Sequence, residues 1–144
     1  MPQQTMFTKI AYAQLNSRQQ ENYNFQKISA ILADYGFVTM RLSDDWQGAD
    51  FIAQHTSGTF LKVQLKGRLE INKKYIGKEI WMCFPTPDWK GCYLFAHDDV
   101  KDWLLANTNA GKSLSWSVSG VYNWKTPSKA IKAFLEDHKL AGIQ

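Results

Sequence analysis

Cysteine is scarce in this chain. Only two occur among 144 residues, Cys83 and Cys92, which excludes a disulfide-dense scaffold and makes structural thiols the expected reading. The three histidines, His55, His97 and His138, are dispersed. None has a second His or Cys at metal-ligand spacing, so a zinc-type site is excluded. No run approaches the roughly 18 consecutive apolar residues of a membrane span, and MPQQTMFTKI lacks the apolar stretch of a secretory leader. A cytoplasmic protein without a membrane partner is therefore expected. A phosphate loop is missing as well: Gly111-Lys112-Ser113 has no glycine five positions earlier and no strand before it. There is no internal repeat, low-complexity tract or linker, so residues 1–144 are expected to form a single domain.

What is present is enough apolar material, 44% of the residues, for one core. Six tryptophans stand at 46, 81, 89, 103, 116 and 124. Trp81 and Trp103 read as core, whereas Trp89 and Trp124 fall among turn residues, where an exposed ring marks a protein interface or a base-stacking surface. The net charge of +4 is concentrated: between residues 61 and 78 lie Lys62, Lys66, Arg68, Lys73, Lys74 and Lys78 against Glu70 alone. Such a segment binds phosphates without reading sequence, or else it is a solvated strand edge that resists aggregation. Lys125, Lys129 and Lys132 are expected to be a solvated helical face.

Residues 17–35 have helical spacing of Phe25, Ile28, Leu32 and Tyr35, with Ser17 as cap and Gly36 as terminator. Strands are expected over 37–42, 49–55, 60–66, 79–84 and 93–96, with Ser43-Asp44-Asp45 as a turn. Asp98 is a candidate cap for a helix to Asn107, and a short strand is expected near 114–118. Thr126-Pro127 opens a last helix with Ala130, Ile131, Phe134 and Leu135 as its apolar stripe. The pattern gives an α/β domain: a core of strands over about 17–96, a helical region over about 98–140, and a central mixed β-sheet flanked by helices.

In the strand over 60–66, alternation puts Gln64 and Lys66 on one face and Leu61, Val63 and Leu65 on the other. What stands across from them depends on the hairpin at Thr56-Ser57-Gly58. A three-residue loop with Gly58 left-handed pairs His55 with Thr59 and sets Asp50 opposite Gln64; a four-residue loop turns Asp50 to the wrong face. At about 100° per residue, Glu21 falls within the apolar arc of the first helix, one turn before Phe25. A carboxylate there needs a partner or a metal, or it simply favours the helix dipole.

Together these residues resemble the PD-(D/E)XK nuclease superfamily, the restriction-endonuclease-like and Holliday-junction-resolvase-like enzymes. Its acidic residue on the first helix matches Glu21, its strand Asp matches Asp50 in GADFIAQH, and its (D/E/Q)-x-K tripeptide matches Gln64-Leu65-Lys66 in FLKVQLKGR. The resemblance covers about residues 17–96 and includes Gly36-Phe37. Gln64 departs from the usual Asp or Glu, as in a homing endonuclease branch of the superfamily. The resemblance implies a restriction-endonuclease-like core and a magnesium-dependent endonuclease, with manganese as a substitute, acting on nucleic acid, principally DNA. It assigns Asp50, Gln64, Glu21 and the Leu65 carbonyl to the metal, and Lys66 to the developing charge. Arg68, Lys73, Lys74, Tyr75 and Lys78 would continue a path for the phosphate backbone. Cutting a duplex with one site per chain implies a homodimer or a higher homo-oligomer.

Overall fold

The computed structural model describes residues 6–141. Asn16 caps the first helix, α1 (Ser17–Ala33), in a reciprocal box: its side chain accepts from the Gln19 amide while the Gln19 side chain accepts from the Asn16 amide. The cap thus lies one residue before Ser17. Gly36, at φ +85, ends the helical segment and turns the chain into β1 (Phe37–Trp46). Five more strands follow: β2 (Ala49–His55), β3 (Phe60–Leu65), β4 (Glu70–Asn72), β5 (Ile80–Pro85) and β6 (Gly91–Ala96). Then come α2 (His97–Asn107), β7 (Val121–Asn123), α3 (Lys129–Leu135) and β8 (Lys139–Ala141).

Six strands form a mixed sheet in the order β1-β2-β3-β5-β6-β8, while β4 and β7 pair separately. Only β3 and β5 run parallel; the other neighbours are antiparallel. The fold is therefore α/β with a central mixed sheet and flanking helices, as the sequence pattern implies. One face carries Phe51, Ala53, Leu61, Val63, Cys83 and Leu94 against Ile28, Ile31 and Leu32 of α1. Opposite, Met82, Phe84 and Phe95 pack with Val100 and Leu104 of α2, Ile131 and Leu135 of α3, and Leu69, Ile71 and Tyr75 of the β4 region. This second layer reaches β1 and β2 only at Leu42 and Ala49, leaving Val38, Met40 and Phe60 exposed.

Four local expectations are corrected. Ser43-Asp44-Asp45 lies within β1, and the turn comes later at Gln47-Gly48, both with positive φ. Residues 115–119 form a π-helical turn in place of a strand, because Gly120, at φ +74, closes it by donating to the Trp116 carbonyl. Finally, Ser128 caps α3, so the segment at Thr126-Pro127 precedes the helix. Asp98 likewise lies inside the first turn of α2, where it accepts from the Gly77 amide. Cys83 and Cys92 are buried free thiols. The hydrogen bond to Cys92, together with burial, pushes the Cys83 thiol well above its usual pKa. No helix among the described residues is long and apolar enough to cross a membrane.

Candidate functional site

The hairpin decides the site. The His55 amide donates to the Thr59 carbonyl at 2.8 Å, and Gly58 adopts φ +95. The register runs Phe51 to Val63, Ile52 to Lys62 and Ala53 to Leu61. The ladder ends at the pair Phe51–Val63, and continuing it by one step sets Asp50 across from Gln64, where opposed residues share a face. The Leu65 amide donates to Asp50 Oδ2 at 2.9 Å, which ties the aspartate to the tripeptide directly.

At this end of the strands a cleft of about 520 Å³ opens. Its lining draws on both sheet faces: Asp50, Gln64 and Lys66 from one, Phe51 and Leu65 from the other. Arg41 stands opposite Phe51 and so projects toward α1. Its guanidinium donates to Asn22 and approaches Glu21 at 3.7 Å. Arg18, Glu21, Asn24 and Phe25 of α1 complete one wall, with Asp44, Asp45 and Trp89 on others.

Burial pushes the Asp50 carboxyl above its usual range, although the Leu65 amide and the Lys66 ammonium pull it down; the Asp45 charge adds to the rise. The residue as a whole is nonetheless exposed at the mouth of the cleft. Lys66 Nζ lies 3.3 Å from a Glu70 carboxylate oxygen. Glu70 is absent from the sequence-derived set because spacing of four signals contact on a helix, whereas here a loop brings the two together.

The structure thus gathers Glu21, Asp50, Gln64, Leu65 and Lys66 around one cleft. It does not gather a cage of acids: among the described residues no three His, Cys, Asp or Glu groups come together as a metal site. Glu21 has a side chain 70% exposed and faces Arg41, which corrects its expected position on the core face. Tyr75 is also corrected. It is 2% exposed, packed edge-on against His97, and has no free ring for a base. Arg68, Lys73, Lys74 and Lys78 are exposed as expected, with Lys73 over the Trp116 ring and Lys74 over Tyr75.

The donor chemistry fits a hard divalent cation. The Asp50 carboxylate and the Gln64 amide oxygen are oxygen donors on one face, and a buried Asn24 Oδ1 in the α1 wall of the cleft has no hydrogen-bond partner. An all-oxygen set suits magnesium or manganese, which retain waters of their own, and does not suit zinc.

No protein-family profile matches the chain, and no curated protein matches it. Among solved structures, the bacterial homing endonuclease I-Ssp6803I is similar at a TM-score of 0.45 and 12% identity, over 85% of this chain and 94% of that one.

Proposed function

We propose that the chain is a metal-dependent endonuclease that hydrolyses phosphodiester bonds of nucleic acid, principally DNA. The observation that carries this reading is the hairpin register, which sets Asp50 opposite Gln64, ties its carboxylate to the Leu65 amide and leaves Lys66 beside it in one cleft. In this reading Asp50 and Gln64 hold magnesium or manganese, with the Leu65 carbonyl completing the protein's share. The bound ion supplies Lewis acidity at the phosphoryl group and lowers the pKa of a water. Glu21 faces Arg41, so its carboxylate belongs to the rim and helps orient waters there.

Lys66 stabilises the negative charge that builds on phosphorus oxygens, a preorganised contribution of about 3 kcal/mol. Arg68, Lys73, Lys74 and Lys78 hold the flanking backbone by charge, without base readout. With one cleft per chain, cutting both strands of a duplex calls for two copies. Incubation of supercoiled plasmid with Mg²⁺, Mn²⁺ or EDTA tests the proposal. Nicking should require the metal and fall on the order of 100-fold in Lys66→Ala. No nicking with either metal would remove the hydrolase reading.

One observation favours a second reading, a catalytically silent binder of nucleic acid: the lack of a third converging acid among the described residues. Salt-sensitive binding without cleavage would decide for it.

A further inference from the structure

A fifth carboxylate near the cleft, Glu70, carries no role in the reading above, yet its setting is closely constrained. It sits between Leu69 and Ile71, both fully buried, and pairs across the small sheet with Asn123. The Leu69 carbonyl accepts from the Trp124 amide, which fixes the strand just before Glu70. Its side chain is only 16% exposed. Lys66, by contrast, follows the end of β3 on a four-carbon stem, with its own amide held by the Cys83 carbonyl. A lysine ammonium on such a stem samples many rotamers unless something holds it. The 3.3 Å contact with Glu70 supplies that hold.

Resting on the nuclease reading, we propose that Glu70 is a positioning residue: it acts through Lys66, fixing the ammonium over the Asp50–Gln64 face, and does not itself touch substrate. Asp50 anchors the backbone of the tripeptide through Leu65, and Glu70 anchors its terminal side chain. A lysine displaced by about an ångström should cost one to two orders of magnitude in rate.

Glu70→Ala, Glu70→Gln and Lys66→Ala, alone and combined, test this in full-length protein whose fold is checked by circular dichroism. Glu70→Ala is expected to lower kcat on the order of tenfold or more with KM for DNA nearly unchanged. Glu70→Gln, which keeps an acceptor for the ammonium, should recover part of the loss. In the Lys66→Ala background Glu70→Ala should add nothing further. A wild-type rate in Glu70→Ala, or a loss that adds in full to that of Lys66→Ala, would overturn the proposal. A readout independent of cleavage is the acylation rate of the Lys66 amine, followed by mass spectrometry. It should rise several-fold in Glu70→Ala and less in Glu70→Gln; an unchanged rate overturns the positioning role whether or not the protein cuts. Absence of cleavage in the wild type, with the acylation shift present, would instead sink only the nuclease reading.

Discussion

Replacing Asp50 by asparagine separates two properties that the cleft combines. Burial raises the Asp50 pKa even though the Leu65 amide and Lys66 favour its charged form, so folding without a cation disfavours the anion relative to the unfolded chain. A raised carboxyl contributes stability below its unfolded pKa, and that contribution is lost as pH rises through the folded value. Asp50→Asn, which keeps an oxygen for the Leu65 amide, should therefore stabilise the metal-free protein at pH 8, and the gain should vanish at about pH 3. On the proposed reading, a divalent ion would reverse the balance for the wild type alone. A cation at a hundred times its Kd adds about 2.7 kcal/mol. At about 2.1 cal/mol/K per residue, 144 residues have an unfolding entropy near 0.3 kcal/mol/K, which converts the gain to a rise of about 9 °C in Tm. Thermal melts of both proteins across a Mg²⁺ titration measure it. Equal Mg²⁺-dependent rises in wild type and Asp50→Asn would refute the assignment of Asp50 as the principal ligand.

His97 is fully buried, with Nε2 accepting from the Asn72 amide at 3.1 Å and Nδ1 hydrogen-bonded to Asp98 at 2.9 Å. Burial lowers its pKa against the pull of Asp98, so its stabilising effect is present above about pH 6.5 and lost as pH falls below it. Urea titrations should give a decline of up to about 1.4 kcal/mol per pH unit in that window, absent in His97→Ala. Gly48 has φ +92, and a Cβ there would meet Tyr75 Cε1 at 2.9 Å, whereas Gly58 at φ +95 has open space. Gly48→Ala should cost more in urea than Gly58→Ala, by about 1–3 kcal/mol for the clash; equal costs would contradict the packing of Tyr75. Finally, the cleft lining holds Arg18, Arg41 and Lys66 against Glu21, Asp44, Asp45 and Asp50. In the slow-cutting Lys66→Ala protein, DNA affinity by fluorescence anisotropy should therefore be higher with Mg²⁺ than with EDTA at matched ionic strength.

Much of this arrangement is legible in the residues, and the illegible part has physical causes. Thr56-Ser57-Gly58 declares a hairpin because glycine accepts positive φ, and the alternation of Leu61 and Val63 then fixes which side Gln64 faces. Ser43-Asp44-Asp45 has turn chemistry, yet β1 continues through it with irregular register between Arg41 and Trp46. The true turn uses Gln47 at φ 53, a residue that local preference would not select. That misreading hides Asp44 and Asp45 from the cleft. Tyr75 sits among lysines, which suggests a surface, but its ring is needed over Gly48 and His97. Glu70 is four residues from Lys66, but its strand is set by the pairing of β4 with β7, some fifty residues apart, which no local pattern encodes.

The glutamine of the tripeptide makes physical sense in this company. Four carboxylates already line the cleft against three cations, and Asp50 is held above its normal pKa by burial and by Asp45. A glutamate at position 64 would face Asp50 directly across the ladder, and like charges so opposed destabilise a strand pair. Gln64 offers an oxygen of the same reach without that repulsion. The cost falls on cation affinity, since a neutral amide attracts a divalent ion less than a carboxylate does. On the proposed nuclease reading, the fold would stand without metal and bind it weakly, with the phosphates of a bound nucleic acid supplying the negative charge that the glutamine does not.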